Sequence, residues 1–108
     1  MIALLIAAAS LAAAPSPDPA KGRFLAEKYC AGCHAVGPIG ASRRAAAPPF
    51  RQLQARYPVE ALQEALAEGI STGHPEMPEF VFFPGDIDNF IAYLKTFEPS
   101  KGTEARRP

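Results

Sequence analysis

Residues 30–34 read CAGCH, a C-x-x-C-H motif that holds both cysteines and one of the two histidines of the 108-residue chain. Two thiols three positions apart reach the two vinyl groups on one edge of a haem and form thioether bonds with them. The imidazole that follows directly then lies under the macrocycle, where it ligates iron. The motif therefore predicts one haem c, covalently bound through Cys30 and Cys33, with His34 as an iron ligand.

The residues alone leave three other interpretations of this motif open. A disulfide or thioredoxin-like redox pair uses C-x-x-C, but it belongs beside a βαβ unit, and the sequence has no parallel-strand pattern. A zinc site needs four nitrogen or sulfur ligands, and the two cysteines together with His34 and His74 just supply them. The third is a chance occurrence with no role.

A second iron ligand follows by elimination. Apart from the initiator, Met77 is the only methionine of the chain, and it lies in a loop that two prolines stiffen. A thioether is a soft, neutral ligand that favours the reduced iron and raises its potential. His74 is the rival ligand, and an open or water-ligated position is the other alternative. We predict that His34 and Met77 ligate the metal.

The rest of the sequence predicts an all-α chain of three to four short helices with long loops. We expect a first helix over residues 19–29, a second that begins near residue 58, and a third over residues 86–97. In the second and third, apolar side chains recur at intervals of three and four. Asp18 is a good N-cap for the first helix, and the second helix ends at Gly69 or Gly73.

Aromatic and aliphatic side chains on these elements and loops are expected to line a dry haem pocket. The run 80–83 lies between prolines and has no partner strand, so it predicts a loop whose aromatic rings turn inward. The residues predicted to supply much of the pocket are Phe50, Leu53, Leu62, Leu66, Phe80, Phe82, Phe83 and Phe90.

The N-terminal run of residues 2–14 is apolar and uncharged, but it is shorter than the about 20 residues that span a bilayer. It is typical of a secretory signal peptide, which we predict over residues 1–20 with cleavage between 12 and 20. A buried helix and an uncleaved membrane anchor are the alternatives. Removal of this peptide leaves one folded domain over residues 21–97 and a flexible tail over residues 98–108. We expect the exported protein to lie in the periplasm.

The sequence closely resembles the class I c-type cytochromes, and the small bacterial monohaem members more than the mitochondrial ones. The stretch 55–80, ARYPVEALQEALAEGISTGHPEMPEF, is similar to a recurrent form of these small periplasmic proteins. The matching parts keep the family's order over residues 18–97 and are Gly22 and Phe24, CAGCH, Gly37-Pro38, Met77-Pro78 and the IAYL of residues 91–94.

This resemblance implies the all-α cytochrome c fold, in which long loops wrap around one covalently bound haem and the first and last helices cross steeply beside it. It implies that Gly22 lets their backbones approach and that Phe24, with Tyr93 or Leu94, fills the crossing. It also implies that the carbonyl of Pro38 accepts the Nδ1–H of His34 and fixes its tautomer.

One stretch departs from the family. Residues 42–47 (SRRAAA) match no family signature, so the partners of the haem propionates stay open. By chemistry, the candidates are Arg43, Arg44, Arg51 and Tyr57.

Charge is balanced in sum, with eleven basic and eleven acidic residues, which argues against a nucleic-acid-binding protein. Its distribution is uneven: residues 43–56 hold four arginines and no acid, and residues 57–94 hold seven acids and no lysine or arginine. Either this forms a dipole that orients docking, or the glutamates at 60, 64 and 68 are the solvated face of the second helix.

These features predict a one-electron carrier between redox partner proteins, and not an enzyme. With both axial positions filled, a substrate reaches the iron only by displacing a ligand. Two alternatives remain: a haem-bearing subunit of a larger oxidoreductase or respiratory complex, and a haem-based ligand sensor or peroxidase. Membrane contact is expected to be indirect or through an uncleaved N-terminus.

Overall fold

A computed structural model describes residues 3–8, 16–69, 77–78, 80 and 82–98. Within these residues the chain forms three α-helices, α1 (Pro19–Tyr29), α2 (Val59–Glu68) and α3 (Pro84–Lys95), and one short 3₁₀ helix, Phe50–Ala55. The described part of the chain contains no strand. The predicted all-α class is confirmed, whereas the 3₁₀ helix was not predicted as a separate element.

Helix α1 begins as its sequence predicts. The Asp18 side chain accepts a hydrogen bond from the Ala20 N–H at 2.9 Å, and Pro19 occupies the first turn, where its missing N–H costs nothing. The Asp18 N–H in turn donates to Asn89 Oδ1 of α3 at 2.8 Å. The start of α1, which lies ahead of the predicted domain boundary at residue 21, is therefore tied directly to the last helix.

Helices α1 and α3 touch backbone to backbone at Gly22. A Cβ at this position would lie 2.0 Å from the carbonyl oxygen of Asn89 and 2.8 Å from the Cβ of Tyr93. The close approach expected of Gly22 is confirmed, and Tyr93 and Leu94 are buried as expected.

The expectation for Phe24 is wrong, because its side chain is 62% exposed. At 100° per residue, Phe24 lies on the opposite side of the helix from Gly22. The fully buried Ala26, one turn beyond Gly22, faces α3 instead.

Helix α2 packs against α3 and is linked to it at the surface by a hydrogen bond from Gln63 Nε2 to Asp88 Oδ1 (3.0 Å). It ends at Gly69, whose φ of 88° is favourable only for glycine, so Gly69 is the stop. The alternative, Gly73, lies outside the described residues. Helix α3 begins at Pro84, two residues before the predicted start, because proline is well suited to the first helical turn.

The core lies where the three helices and the 3₁₀ helix meet. Of the predicted pocket residues, Phe50, Leu66 and Phe90 are buried, and three more pack against them: Leu53, Leu62 and Phe82. The half-buried Phe80 stacks on Phe82, with ring centroids 6.0 Å apart.

Phe83 is the exception, since it is 79% exposed and does not turn inward. Its backbone is extended, and successive side chains of an extended segment point to opposite sides. Phe82 packs inward, so Phe83 faces solvent.

The described part of the N-terminal run, residues 3–8, is exposed and not helical. Within the described residues, every helix is too short or too polar to cross a lipid bilayer. Residues 9–15 and 99–108, which contain part of the predicted cleavage region and nearly all of the predicted tail, lie outside the described residues.

Candidate functional site

The C-x-x-C-H motif lies directly after α1 and closes into a tight turn. The N–H groups of Cys33 and His34 both donate to the Cys30 carbonyl, at 3.2 and 2.9 Å. This turn brings the two thiols and the imidazole together at the C-terminal end of the helix. All three side chains are half-buried, so they lie at the boundary between the core and the surface.

Cys30 packs against the hydrophobic core. Burial raises the pKa of its thiol to about 11, since a thiolate is poorly solvated there. At neutral pH the thiol is therefore protonated, and Cys30 in this fold is a weak nucleophile on its own. Both cysteines are free thiols and form no disulfide with each other.

The His34 ring is held in one orientation. Its Nδ1 lies 2.8 Å from the carbonyl oxygen of Pro48, which accepts its proton. A neutral imidazole that donates through Nδ1 presents the lone pair of Nε2 to a metal. The Phe50 ring, 5.2 Å from the imidazole between centroids, packs beside it. His34 is thus oriented as an iron ligand requires.

The carbonyl that holds His34 is not the predicted one. Pro38 is exposed, and its neighbour Ile39 is 83% exposed, so this part of the loop faces outward. The Phe50 N–H donates to the Ala35 carbonyl at 2.9 Å and places residue 48 beside the ring. The expectation for Pro38 is therefore wrong, and Pro48 takes its role.

The arginine-rich loop of residues 42–47 folds back on the motif. The Ala35 N–H donates to Ser42 Oγ at 2.9 Å, and the Arg44 N–H donates to the Cys33 carbonyl at 3.1 Å. Sequence reasoning missed the roles of Ser42 and Pro48. The Pro48-Pro49 pair just before Phe50 is the sequence feature that could have indicated the contact between Pro48 and His34.

Helix α3 also supports the motif, through Tyr93. Its hydroxyl donates to the Val36 carbonyl, two residues after the imidazole. Burial raises the pKa of Tyr93, so the phenol keeps the proton that it donates. The backbone that follows His34 is therefore anchored from three sides: the loop, the 3₁₀ helix and α3.

Met77 is half-buried, and the segment that follows it is brought to the motif end of α1. The rings of Phe80 and Phe82 each lie 5.9 Å from the ring of Tyr29, the residue before Cys30. His74, the rival ligand, lies outside the described residues, so the choice between the two stays a prediction.

The groups present fit a covalently held haem. Two adjacent thiols, an imidazole with its metal-binding nitrogen available, and a wall of aromatic rings supply what the motif predicts. In the described part of the chain, no group of three or more His, Cys, Asp or Glu side chains is arranged to hold a metal ion. Among the propionate candidates, Arg43, Arg44 and Tyr57 are exposed, and Arg51 is half-buried.

Comparison with known proteins agrees with this all-α domain and its attachment motif. Residues 17–94 match the family model described as cytochrome c oxidase, cbb3-type, subunit III. Cytochrome c-552 of Bradyrhizobium diazoefficiens is 32% identical over 96 residues, which cover 89% of this chain and 90% of that protein. The chain belongs to the c-type cytochromes.

Membership of this family implies a covalently bound haem c and haem-based electron transfer. Domains of this kind work with redox partners or as subunits of larger complexes.

Proposed function

We propose that this protein is a periplasmic one-electron carrier that binds one haem c through Cys30 and Cys33, with His34 and Met77 as iron ligands. The observation that carries the proposal is the contact between His34 Nδ1 and the Pro48 carbonyl. It leaves Nε2 as the metal-binding atom at the end of the C-x-x-C-H turn. When bound, the haem supplies an iron that alternates between the ferrous and ferric states.

The chain's own residues favour electron transfer over catalysis. The thiols of Cys30 and Cys33 would fix the position of the haem, and the Pro48 carbonyl fixes the direction of the His34 imidazole. Rings of Phe50, Phe82 and Phe90 exclude water from the interior side of the site. A dry environment disfavours the additional positive charge of ferric iron, so it raises the reduction potential. With His34 and Met77 both holding the iron, a substrate would reach it only by displacing one of these two residues.

Export is supported by the apolar run of residues 2–14. Because Asp18 caps α1 and contacts Asn89, cleavage that preserves the fold falls before residue 18. This narrows the proposed cleavage region to residues 12–17.

Replacement of Met77 by alanine tests the second axial ligand. The matured ferric protein is expected to show the weak long-wavelength sulfur-to-iron band, and Met77→Ala is expected to lose it while keeping its covalent haem. The reduced variant should also bind carbon monoxide rapidly, since one axial position is open.

Phe83→Ala is the control, because this exposed side chain is close in sequence to Met77 but does not enter the core. It should retain the band. A band that persists in Met77→Ala, or rapid carbon monoxide binding by the unmodified protein, contradicts His/Met ligation. The second of these results favours the ligand-sensor or peroxidase alternative.

Electron transfer to the native partner is expected to slow roughly tenfold between low and high salt, as steered association does. Glu64 and Glu68 are exposed on α2, whereas Glu60 lies 3.6 Å from the Lys95 ammonium. The double variant Glu64→Gln/Glu68→Gln should show a flatter dependence of rate on ionic strength in stopped-flow measurements.

Glu27→Gln is the matched control, because this glutamate is on α1 and already pairs with Arg23 at 2.9 Å. Its salt dependence should equal that of the unmodified protein. If all three proteins give the same flat profile, the glutamates of α2 are a solvated face with no role in docking.

A second function, a haem-bearing subunit of an oxidoreductase, is favoured by the description of the matched family, which names an oxidase subunit. Cell fractionation separates the two functions. A carrier is recovered from the periplasmic fraction as a free chain, and a subunit is recovered with its partner chains.

A further inference from the structure

The outer face of α1 carries an exposed phenylalanine between two lysines. Phe24 is 62% exposed, and the exposed Lys21 and Lys28 lie three positions before it and four positions after it. Residues at these spacings are neighbours on a helix surface, so the ring has an ammonium group on either side along the helix. Phe24 is therefore the apolar centre of a basic face of α1, formed by Lys21, Phe24 and Lys28.

The positive charge of this basic face is not compensated by the chain around it. In the part of the chain that the structure describes, neither lysine is paired with an acid. The Lys28 ammonium lies 5.2 Å from the centroid of the Tyr29 ring, a contact that leaves its charge in place. The nearby Arg23 and Glu27 pair with each other at 2.9 Å and cancel.

Helix α2 carries the complementary charge. Glu64 and Glu68 are exposed one turn apart, and among the described residues neither is paired with a base. The exposed Ala61 and the half-buried Ala65 run alongside these two glutamates, so a side chain from another molecule can approach the helix there. These four residues form the acidic face of α2.

The basic and acidic faces cannot meet within one molecule. Both helices pack on α3 by their buried sides, at Gly22 in α1 and at Leu66 in α2. Phe24 lies about 160° around the helix from Gly22, and Glu64 lies about 160° from Leu66. Each face therefore points away from α3 and is available only to another molecule.

Two copies of this chain do not repel each other at long range. The chain has a formal net charge of zero, and residues 1–17 contain no charged side chain, so removal of a signal peptide leaves this balance unchanged. A net charge near zero favours association between like molecules.

We propose that the basic face of α1 docks on the acidic face of α2 of a second copy of this chain. Phe24 packs against the two alanines, and the lysines lie beside the glutamates. An aromatic anchor inside a charged rim is typical of the residues that contribute most to protein interfaces. The contact joins two different surfaces, so it links molecules head to tail. The proposal does not rest on the proposed electron transfer or on the iron ligands.

Sedimentation velocity of the matured protein, from micromolar to millimolar concentration, tests the contact. At low ionic strength the average mass is expected to rise with concentration, and in high salt it should return to that of a monomer. Lys21→Gln/Lys28→Gln and Glu64→Gln/Glu68→Gln should each remain monomeric. Their equimolar mixture should associate one to one, because the first variant keeps the acidic face and the second keeps the basic face.

Two matched controls separate this contact from general charge and stickiness. Arg43→Gln/Arg56→Gln removes as much charge as the lysine variant, from exposed positions outside both faces, and should still associate. Phe24→Ala should weaken association about tenfold, as expected of an interface anchor. Phe83→Ala removes an equally exposed ring outside both faces and should not weaken it.

A mass that stays constant with concentration overturns the proposal, and so does association that persists in both charge variants. A monomer that binds vesicles of phosphatidylglycerol, and loses this binding in Lys21→Gln/Lys28→Gln, would assign the basic face to a membrane surface and also overturn it. Loss of covalent haem or of Met77 ligation would instead refute the proposed function, and the sedimentation results would still report on the contact.

Discussion

Gly22→Ala is expected to lower the free energy of unfolding by about 3 kcal/mol or more, at or above the upper end of the usual cost of overpacking a core. The new methyl group would lie 2.0 Å from the Asn89 carbonyl oxygen and 2.6 Å from its carbon. These atoms belong to the backbone of α3 and cannot turn away as a flexible side chain does. Helices α1 and α3 must therefore separate, which also strains the bond between Asp18 and Asn89.

Denaturant unfolding of the matured protein measures this effect, with Gly85→Ala as the control. Gly85 is also helical, but a Cβ there meets no described atom within 4 Å. Its replacement should change the free energy of unfolding by no more than about 1 kcal/mol, since alanine is the better helix former. Equal stabilities of the two variants would show that the two backbones do not touch at Gly22.

The double variant Cys30→Ala/Cys33→Ala is expected to lose covalent haem completely, because the motif supplies every thiol of the chain. Each single variant should keep at most one thioether bond and give a lower yield of coloured protein. The measurement is haem staining after denaturing electrophoresis, together with extraction into acidified organic solvent.

Gly32→Ala is the matched control, because it lies between the two thiols and a Cβ there meets no described atom within 4 Å. The Gly32→Ala variant should keep its haem covalently bound to the polypeptide. Haem that remains covalently bound to the double variant, or haem that is extracted from the unmodified protein, contradicts thioether attachment.

Local signals predicted the helices of this chain well. Asp18 with Pro19 sets the start of α1, and Gly69 sets the end of α2, because each acts on its own neighbourhood of the backbone. The close approach at Gly22 was implied by the family resemblance and is confirmed, since only glycine leaves room for a second backbone.

The errors arose where the answer depends on distant contacts or on direction. Pro38 is the first proline after the motif, but hydrogen bonds from residues 44 and 50 fold the loop so that Pro48 reaches His34. Phe24 and Phe83 are apolar but point away from the core, which their residue type does not reveal.

The hydrogen bond between Asp18 and Asn89 joins positions that are 71 residues apart. In a chain that emerges N-terminus first, α1 cannot pack completely until α3 has also emerged. Until then Cys30 lacks its full apolar surroundings, and its thiol is more accessible and more acidic than in the closed fold. The Cys30 thiol is therefore a better nucleophile before α3 docks than after it.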